Sequence, residues 1–129
     1  MYKVEIVLIP IMSDGEYRQT DPNYFKILLT EDNQVLSQNL SMMNESIEQC
    51  VKEIHHKYIN IGYEWSNKWL AGVIKKDIKT VQVIFIANLV YVKNCFKNCK
   101  AVNIHQFMEV CKNKDYERII STVSPTFFQ

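Results

Sequence analysis

The sequence predicts a single α/β domain of the α+β kind, and three stretches carry that prediction. Residues 45–58 show an apolar stripe at helical spacing, with Ile47, Cys50, Val51, Ile54 and Tyr58 recurring at i, i+3, i+4 and i+7. Residues 2–12 form a nearly continuous apolar run, the pattern of a strand covered on both faces. Residues 65–92 hold two strand-like segments around a short polar turn.

Taken in order, the first strand runs from Tyr2 to Met12 and is ended by Ser13-Asp14-Gly15. Pro10 sits near its end, where a missing N–H is tolerated. Residues 13–23 are polar and contain Asp14-Gly15 and Asp21-Pro22, so they form a loop. A second strand spans Tyr24 to Thr30, and the turn Glu31-Asp32-Asn33-Gln34 leads into Val35-Leu36. The amphipathic helix follows, from Glu45 to Tyr58. Trp65 to Lys75 and Thr80 to Val92 then form a hairpin about residues 76–79, the second strand being rich in β-branched and aromatic side chains. Asn103 is placed to cap a short helix with Ile104, Phe107, Met108 and Cys111 on one face. Asp115 opens a last helix, Tyr116 to about Val123, halted by Pro125.

A chain of 129 residues with 47% hydrophobic content can bury one core. The apolar stretches are too short or too interrupted to cross a bilayer, and the start of the chain carries no secretory signal, so a cytoplasmic protein is expected. A net charge of +1 without a basic block disfavours generic nucleic-acid binding. Lys greatly outnumbers Arg and both Asn and Ile are frequent, a usage typical of AT-rich genomes such as those of phages or low-GC bacteria. Glycine-rich phosphate loops, nucleophile elbows and zinc-protease helices are absent from the sequence.

The run Lys52-Glu53-Ile54-His55-His56-Lys57 resembles the signature helix of the Nudix family of nucleoside-diphosphate pyrophosphohydrolases, Arg-Glu-hydrophobic-x-Glu-Glu. In that register Cys50, Val51, Ile54 and Tyr58 fall on the family's buried positions, and the order of elements along the chain also resembles the family. The resemblance implies a mixed β-sheet sandwiched between helices over residues 1–129. Lys52 stands for the family's Arg and Glu53 for its first Glu, whereas His56 and Lys57 stand where metal-binding glutamates are expected. Gln38-Asn39-Leu40-Ser41 replaces the Gly-Gly before the helix, and Glu45-Ser46 resembles the family's Gly-Glu-Ser one residue out of step.

Hydrolysis of this kind gathers carboxylates around Mg²⁺ or Mn²⁺, which neutralises the phosphates and activates water. Glu53 with His56 at i+3 and Lys57 at i+4 is a poor set for that task, because a fixed ammonium attracts phosphate but repels a second cation. The pairs Glu48–Lys52 and Glu53–Lys57 are also suited to being ordinary solvated helix pairs. His55 points about 100° away from His56, so only His56 has the spacing to join Glu53 as a metal ligand.

Tyr63, Trp65 and Trp69 follow the helix. Trp65 and Trp69 have the strand spacing to share a face, either to stack a nucleobase or to pack the sheet against the terminal helix with Phe127 and Phe128. Tyr17 and Arg18 occupy the first long loop, placed to touch a ligand. Cys50 and Cys111 read as core thiols, and Cys95 and Cys99 with His105 lack a fourth zinc ligand.

The sequence therefore predicts a Nudix-like domain that has lost metal-dependent hydrolysis and binds a nucleotide-type small molecule or a protein partner, a homodimer included. Ligand contacts are expected from Lys52, Lys57, Trp65, Trp69, Tyr17 and Arg18. No cofactor is expected. The alternatives are a divergent hydrolase using Glu45, Glu48, Glu53 and His56 with Mg²⁺ or Mn²⁺, Glu53 and His56 being its metal ligands, and a structural scaffold.

Overall fold

A computed structural model describes residues 3–40 and 46–123. The elements are β1 (Lys3–Ser13), β2 (Phe25–Thr30), β3 (Leu36–Asn39), α1 (Ile47–Tyr58), β4 (Asn67–Lys75), β5 (Thr80–Val90), β6 (Cys99–Asn103), α2 (Ile104–Val110) and α3 (Lys114–Ser121). They form a mixed six-stranded sheet with α1 on one face and α2 and α3 on the other.

β1 is the spine of that sheet because both of its faces and both of its edges are covered. It pairs in parallel with β5 from Lys3↔Thr80 to Ser13↔Val90. Its other edge is shared: β3 pairs antiparallel with Glu5 to Leu8, and β2 with Ile11 to Ser13. Pro10 lies inside the strand, in the gap between those two partners, where the loss of an N–H disturbs pairing least. Ile6, Leu8 and Met12 pack under α1, while Val7, Ile9 and Ile11 face α2 and α3, so the apolar run divides by strand alternation between two cores.

α1 begins at an N-cap Ser46, whose hydroxyl accepts from the Gln49 amide, and buries Cys50, Val51, Ile54 and Tyr58. Ile47, expected on the buried stripe, is instead exposed in the first turn. On the opposite face α2 starts with a reciprocal capping box, Asn103 accepting from the Gln106 amide and the Gln106 side chain accepting from the Asn103 amide. It drives Phe107 into the second core. α3 is capped by Asn113 and not by Asp115, which lies inside the first turn and pairs with Arg118 at 3.4 Å.

α3 crosses close to β4 at Gly72. A Cβ there would stand 3.2 Å from Ile119 Cδ1, so the missing side chain sets how near the helix packs. The β4–β5 register also shifts between Leu70 and Gly72. β6 was not anticipated; the sequence reads as a Lys/Asn-rich connection there. Asn94 and Asn98 adopt φ of 69° and 58°, left-handed turns that return the chain to pair along β2. Cys50, Cys95 and Cys99 are buried, with Cys95 Sγ 3.9 Å from Met12 Sδ. No helix among the described residues is long and apolar enough to cross a membrane.

Candidate functional site

The polar surface of α1 splits into two sides with different surroundings. Glu53 is on the side toward β3, where its carboxylate accepts a hydrogen bond from the Gln38 side chain. The Glu53–Lys57 pair expected from helical spacing is absent among the described residues. The Lys57 ammonium instead lies 5.3 Å from the Tyr58 ring centroid.

Lys52, His55 and His56 lie on the other side, facing the chain that leaves the helix. Ile59 closes α1 through its N–H to the His55 carbonyl. The connection is then fixed at both ends. Ile59 bridges to Phe96, and the Asn60 amide donates to the Cys95 carbonyl at 2.9 Å. Gly62 turns the chain at φ 97°, and the Ser66 amide donates to the Asn88 carbonyl of β5 at 2.8 Å. This return path brings Trp65 to His55 in a T-shaped contact, with ring centroids 4.4 Å apart and planes at 88°.

The result is a cleft of about 400 Å³ between α1 and the start of β4, lined by Lys52, His55, His56, Glu64, Trp65 and Lys68 over a floor at Val51. It continues past His55, His56 and Glu64 into a second hollow of about 430 Å³ beneath residues 59–63 and Lys97. Three lysines line the two hollows against one carboxylate, Glu64, so the walls favour an anion.

His55 is the half-buried centre of this arrangement, and its Nδ1 has no hydrogen-bond partner among the described residues. Burial holds its pKa below the usual 6.5, and the neighbouring His56 lowers it further, against smaller opposing effects of the Tyr63 backbone and Glu64. The unfolded chain therefore binds more protons than the folded one just below pH 6.5. This contribution to stability is complete above that pH and declines as the pH falls through the window below it. Urea midpoints taken between pH 5 and 8 should show a decline that the His55→Phe variant loses; equal slopes in both proteins would contradict the assignment.

Of the residues expected to contact a ligand, Lys52 and Trp65 meet here, joined by His56. Trp69 does not. Trp65 precedes the strand and packs in the α1-side core, whereas Trp69 packs with the core beneath α2 and α3, so the shared-face expectation is corrected. The proposed packing of both against Phe127 and Phe128 concerns residues outside those described, as does any role of Glu45. Tyr17 and Arg18 do not line the cleft. The Lys26 ammonium sits 4.7 Å from the Tyr17 ring centroid, beside the buried Asp14 carboxylate at 3.8 Å. The sequence reading missed His55, Glu64 and Lys68 as a set. The available signal was the short Asn60–Gly62 turn, which obliges the residues on either side of it to lie alongside each other.

Among the described residues no group of three His, Cys, Asp or Glu side chains is placed to hold a metal ion. Glu53 is turned to Gln38, and the cleft itself is lined by two imidazoles and one carboxylate, Glu64.

No protein-family model matches the sequence, and no curated protein matches it. Solved structures do match by shape, and they carry the Nudix fold. The Ap4A hydrolase of C. elegans superposes with a TM-score of 0.63 at 9% identity, covering 98% of this chain and 99% of that one. The NUDIX domain of Shewanella oneidensis NrtR, solved in complex with ADP ribose, gives 0.59 at 11% identity over 84% of this chain and 77% of that one. A MutT/nudix family protein from Enterococcus faecalis gives 0.56 at 12% identity, over 80% of this chain and 44% of that one. The chain has the Nudix fold, as its element order implied.

Proposed function

We propose that this Nudix-fold protein binds an anionic, nucleotide-type ligand in the cleft between α1 and the start of β4, and does so without metal-assisted hydrolysis. The carrying observation is the convergence of Lys52, Lys68, His55, His56 and the Trp65 ring on one cleft of about 400 Å³. Ammonium groups at its rim attract phosphate, imidazoles add donors, and an aromatic wall offers a face or edge to a base. That a Nudix domain of similar fold was solved with ADP ribose supports the ligand class. The residues at the signature-helix positions support loss of hydrolysis, because Glu53 is held by Gln38 while His56 and Lys57 stand where carboxylates would gather a cation.

A second reading, a protein partner at the sheet edge, is favoured by one observation. β4 is an edge strand with Leu70 and Val73 more than half exposed.

A thermal-shift panel of nucleoside diphosphates and ADP-ribose, run in EDTA and in Mn²⁺, separates these readings. The proposal expects stabilisation that needs no divalent ion, and no phosphate release. Metal-stimulated turnover abolished by Glu53→Gln would restore the hydrolase. Silence toward every nucleotide, with concentration-dependent self-association lost in Leu70→Lys, would move the function to the strand edge.

A further inference from the structure

The face of the sheet away from α1 holds a polar group of residues that the fold alone does not require. Glu5 of β1 and Gln82 of β5 are register partners, and both point into the core occupied by Val7, Ile9, Ile84 and Ile86. Strand alternation calls for apolar side chains at both positions. A polar pair there must be satisfied internally or by a ligand.

The hydrogen bonds around Glu5 all run toward it. Tyr116 of α3 donates its hydroxyl to Gln82 Oε1 at 2.8 Å. Gln82 Nε2 donates in turn to Glu5 Oε1 at 2.9 Å, and Lys76 Nζ reaches Glu5 Oε2 at 3.5 Å. Burial pushes the Tyr116 phenol pKa up, so the hydroxyl remains a donor across the working range of pH. The chain of donors fixes the Glu5 carboxylate at the inner wall of a cavity of about 400 Å³, which opens between the β2–β3 turn and the α2–α3 connection. Lys112 stands at the mouth and makes no ion pair among the described residues.

One of the two contacts to Glu5 is replaceable. The Gln82 bond has an ordinary length of 2.9 Å and is part-buried. The Lys76 bond is at the outer limit for a hydrogen bond, and the Lys76 side chain is 53% exposed. An exposed pair of that length contributes little. A better-placed cation can therefore take Oε2 and release Lys76 to the mouth, where it joins Lys112. The emptied geometry is then dipolar, with one fixed carboxylate inside and two ammonium groups outside.

We propose that this cavity is a second ligand site, separate from the α1 cleft, for a small zwitterion of the free α-amino-acid type. The ligand's ammonium binds Glu5 within, and its carboxylate meets Lys76 and Lys112 at the mouth. The cavity lies within the range of ligand sites and has room for a molecule of that size; the choice of ligand rests on its charges.

The test is amide chemical-shift mapping of the full chain with each of the twenty free α-amino acids, with N-acetyl and C-amide derivatives as controls. At least one free amino acid should shift the amides of Glu5, Gln82 and Tyr116 at millimolar concentration, while its blocked derivatives do not. Glu5→Gln should weaken that binding about 10- to 100-fold, the range for losing a bond to a charged group. Lys112→Ala, on an exposed loop where folding is not at risk, should weaken it about threefold or more, on the scale of one rim ion pair. Lys52→Glu, in the α1 cleft, should leave it unchanged. No shift with any amino acid, equal binding of the acetylated forms, or affinity untouched by Lys112→Ala would overturn the proposal. Because the probes carry no phosphate or base, either result is independent of the nucleotide reading.

Discussion

Replacing Lys52 and Lys68 together by glutamate should weaken nucleotide binding by about 100-fold or more without unfolding the chain. Both side chains are exposed on the rim of the α1 cleft, so neither substitution disturbs a core. A hydrogen bond to a charged group is worth about 1.5–3 kcal/mol, and 1.4 kcal/mol is a factor of ten. Removing two such contacts therefore costs about two orders of magnitude, even when solvent screening holds each near the lower figure. Reversal of charge adds repulsion to the loss. Raising the salt concentration should weaken the wild-type protein in the same direction, because the rim charges are screened. Calorimetric titration with ADP-ribose reads both effects. An unchanged affinity in the double variant would place the ligand elsewhere on the molecule.

The largest effect on stability is expected at Phe107. Among the described residues it is the largest fully buried side chain, and its ring meets Tyr116 in a T-shaped contact at 6.5 Å. α2 contains only seven residues and is too short to hold itself as a helix. Its place against β2 and β6 rests on Ile104, Phe107 and the capping box at Asn103. Phe107→Ala should cost about 3–5 kcal/mol, through lost transfer energy and the cavity left behind. Domains of this kind have about 5–15 kcal/mol in total, so the variant should be near its folding limit at 37 °C. Urea unfolding followed by the fluorescence of Trp65 and Trp69 measures the change. A loss under about 1 kcal/mol would mean that α2 is not docked as described.

Much of the fold could be read from residue pattern, because its strongest elements are also its most periodic. The apolar run of β1 has that form because both faces are covered, and α1 shows its buried stripe at Cys50, Val51, Ile54 and Tyr58. Asn103 was recognisable as a cap since its side chain competes for the helix amides that follow it. β6 escaped notice for a physical reason. It is five residues long, and the asparagines at 94 and 98 that shape its approach look like loop residues until their left-handed φ is known.

The candidate site was legible only in part. Helical spacing identified the charged residues of α1 but not which of two sides each would serve. Glu53 found Gln38, a residue 15 positions away in β3, in place of the Lys57 expected from i+4 spacing. Trp65 and Trp69 matched the period of a strand, yet β4 begins only at Asn67, so the alternation does not extend back to Trp65. His55 looked misdirected because it diverges from His56 along the helix. It becomes central only when the chain returns past Gly62 and brings Trp65 to it. Tertiary return paths of this kind leave no periodic trace.

The proposed binding requires that fixed protein cations, and not a metal cluster on α1, hold the phosphate. Calorimetric titration of ADP-ribose into the full chain, once in EDTA and once in excess Mn²⁺, tests it most directly. Measurable binding is expected in EDTA, with a dissociation constant unchanged to within about twofold when Mn²⁺ is supplied, a difference of only about 0.4 kcal/mol. Binding that appears only with Mn²⁺, and disappears again in Glu53→Gln, would contradict it.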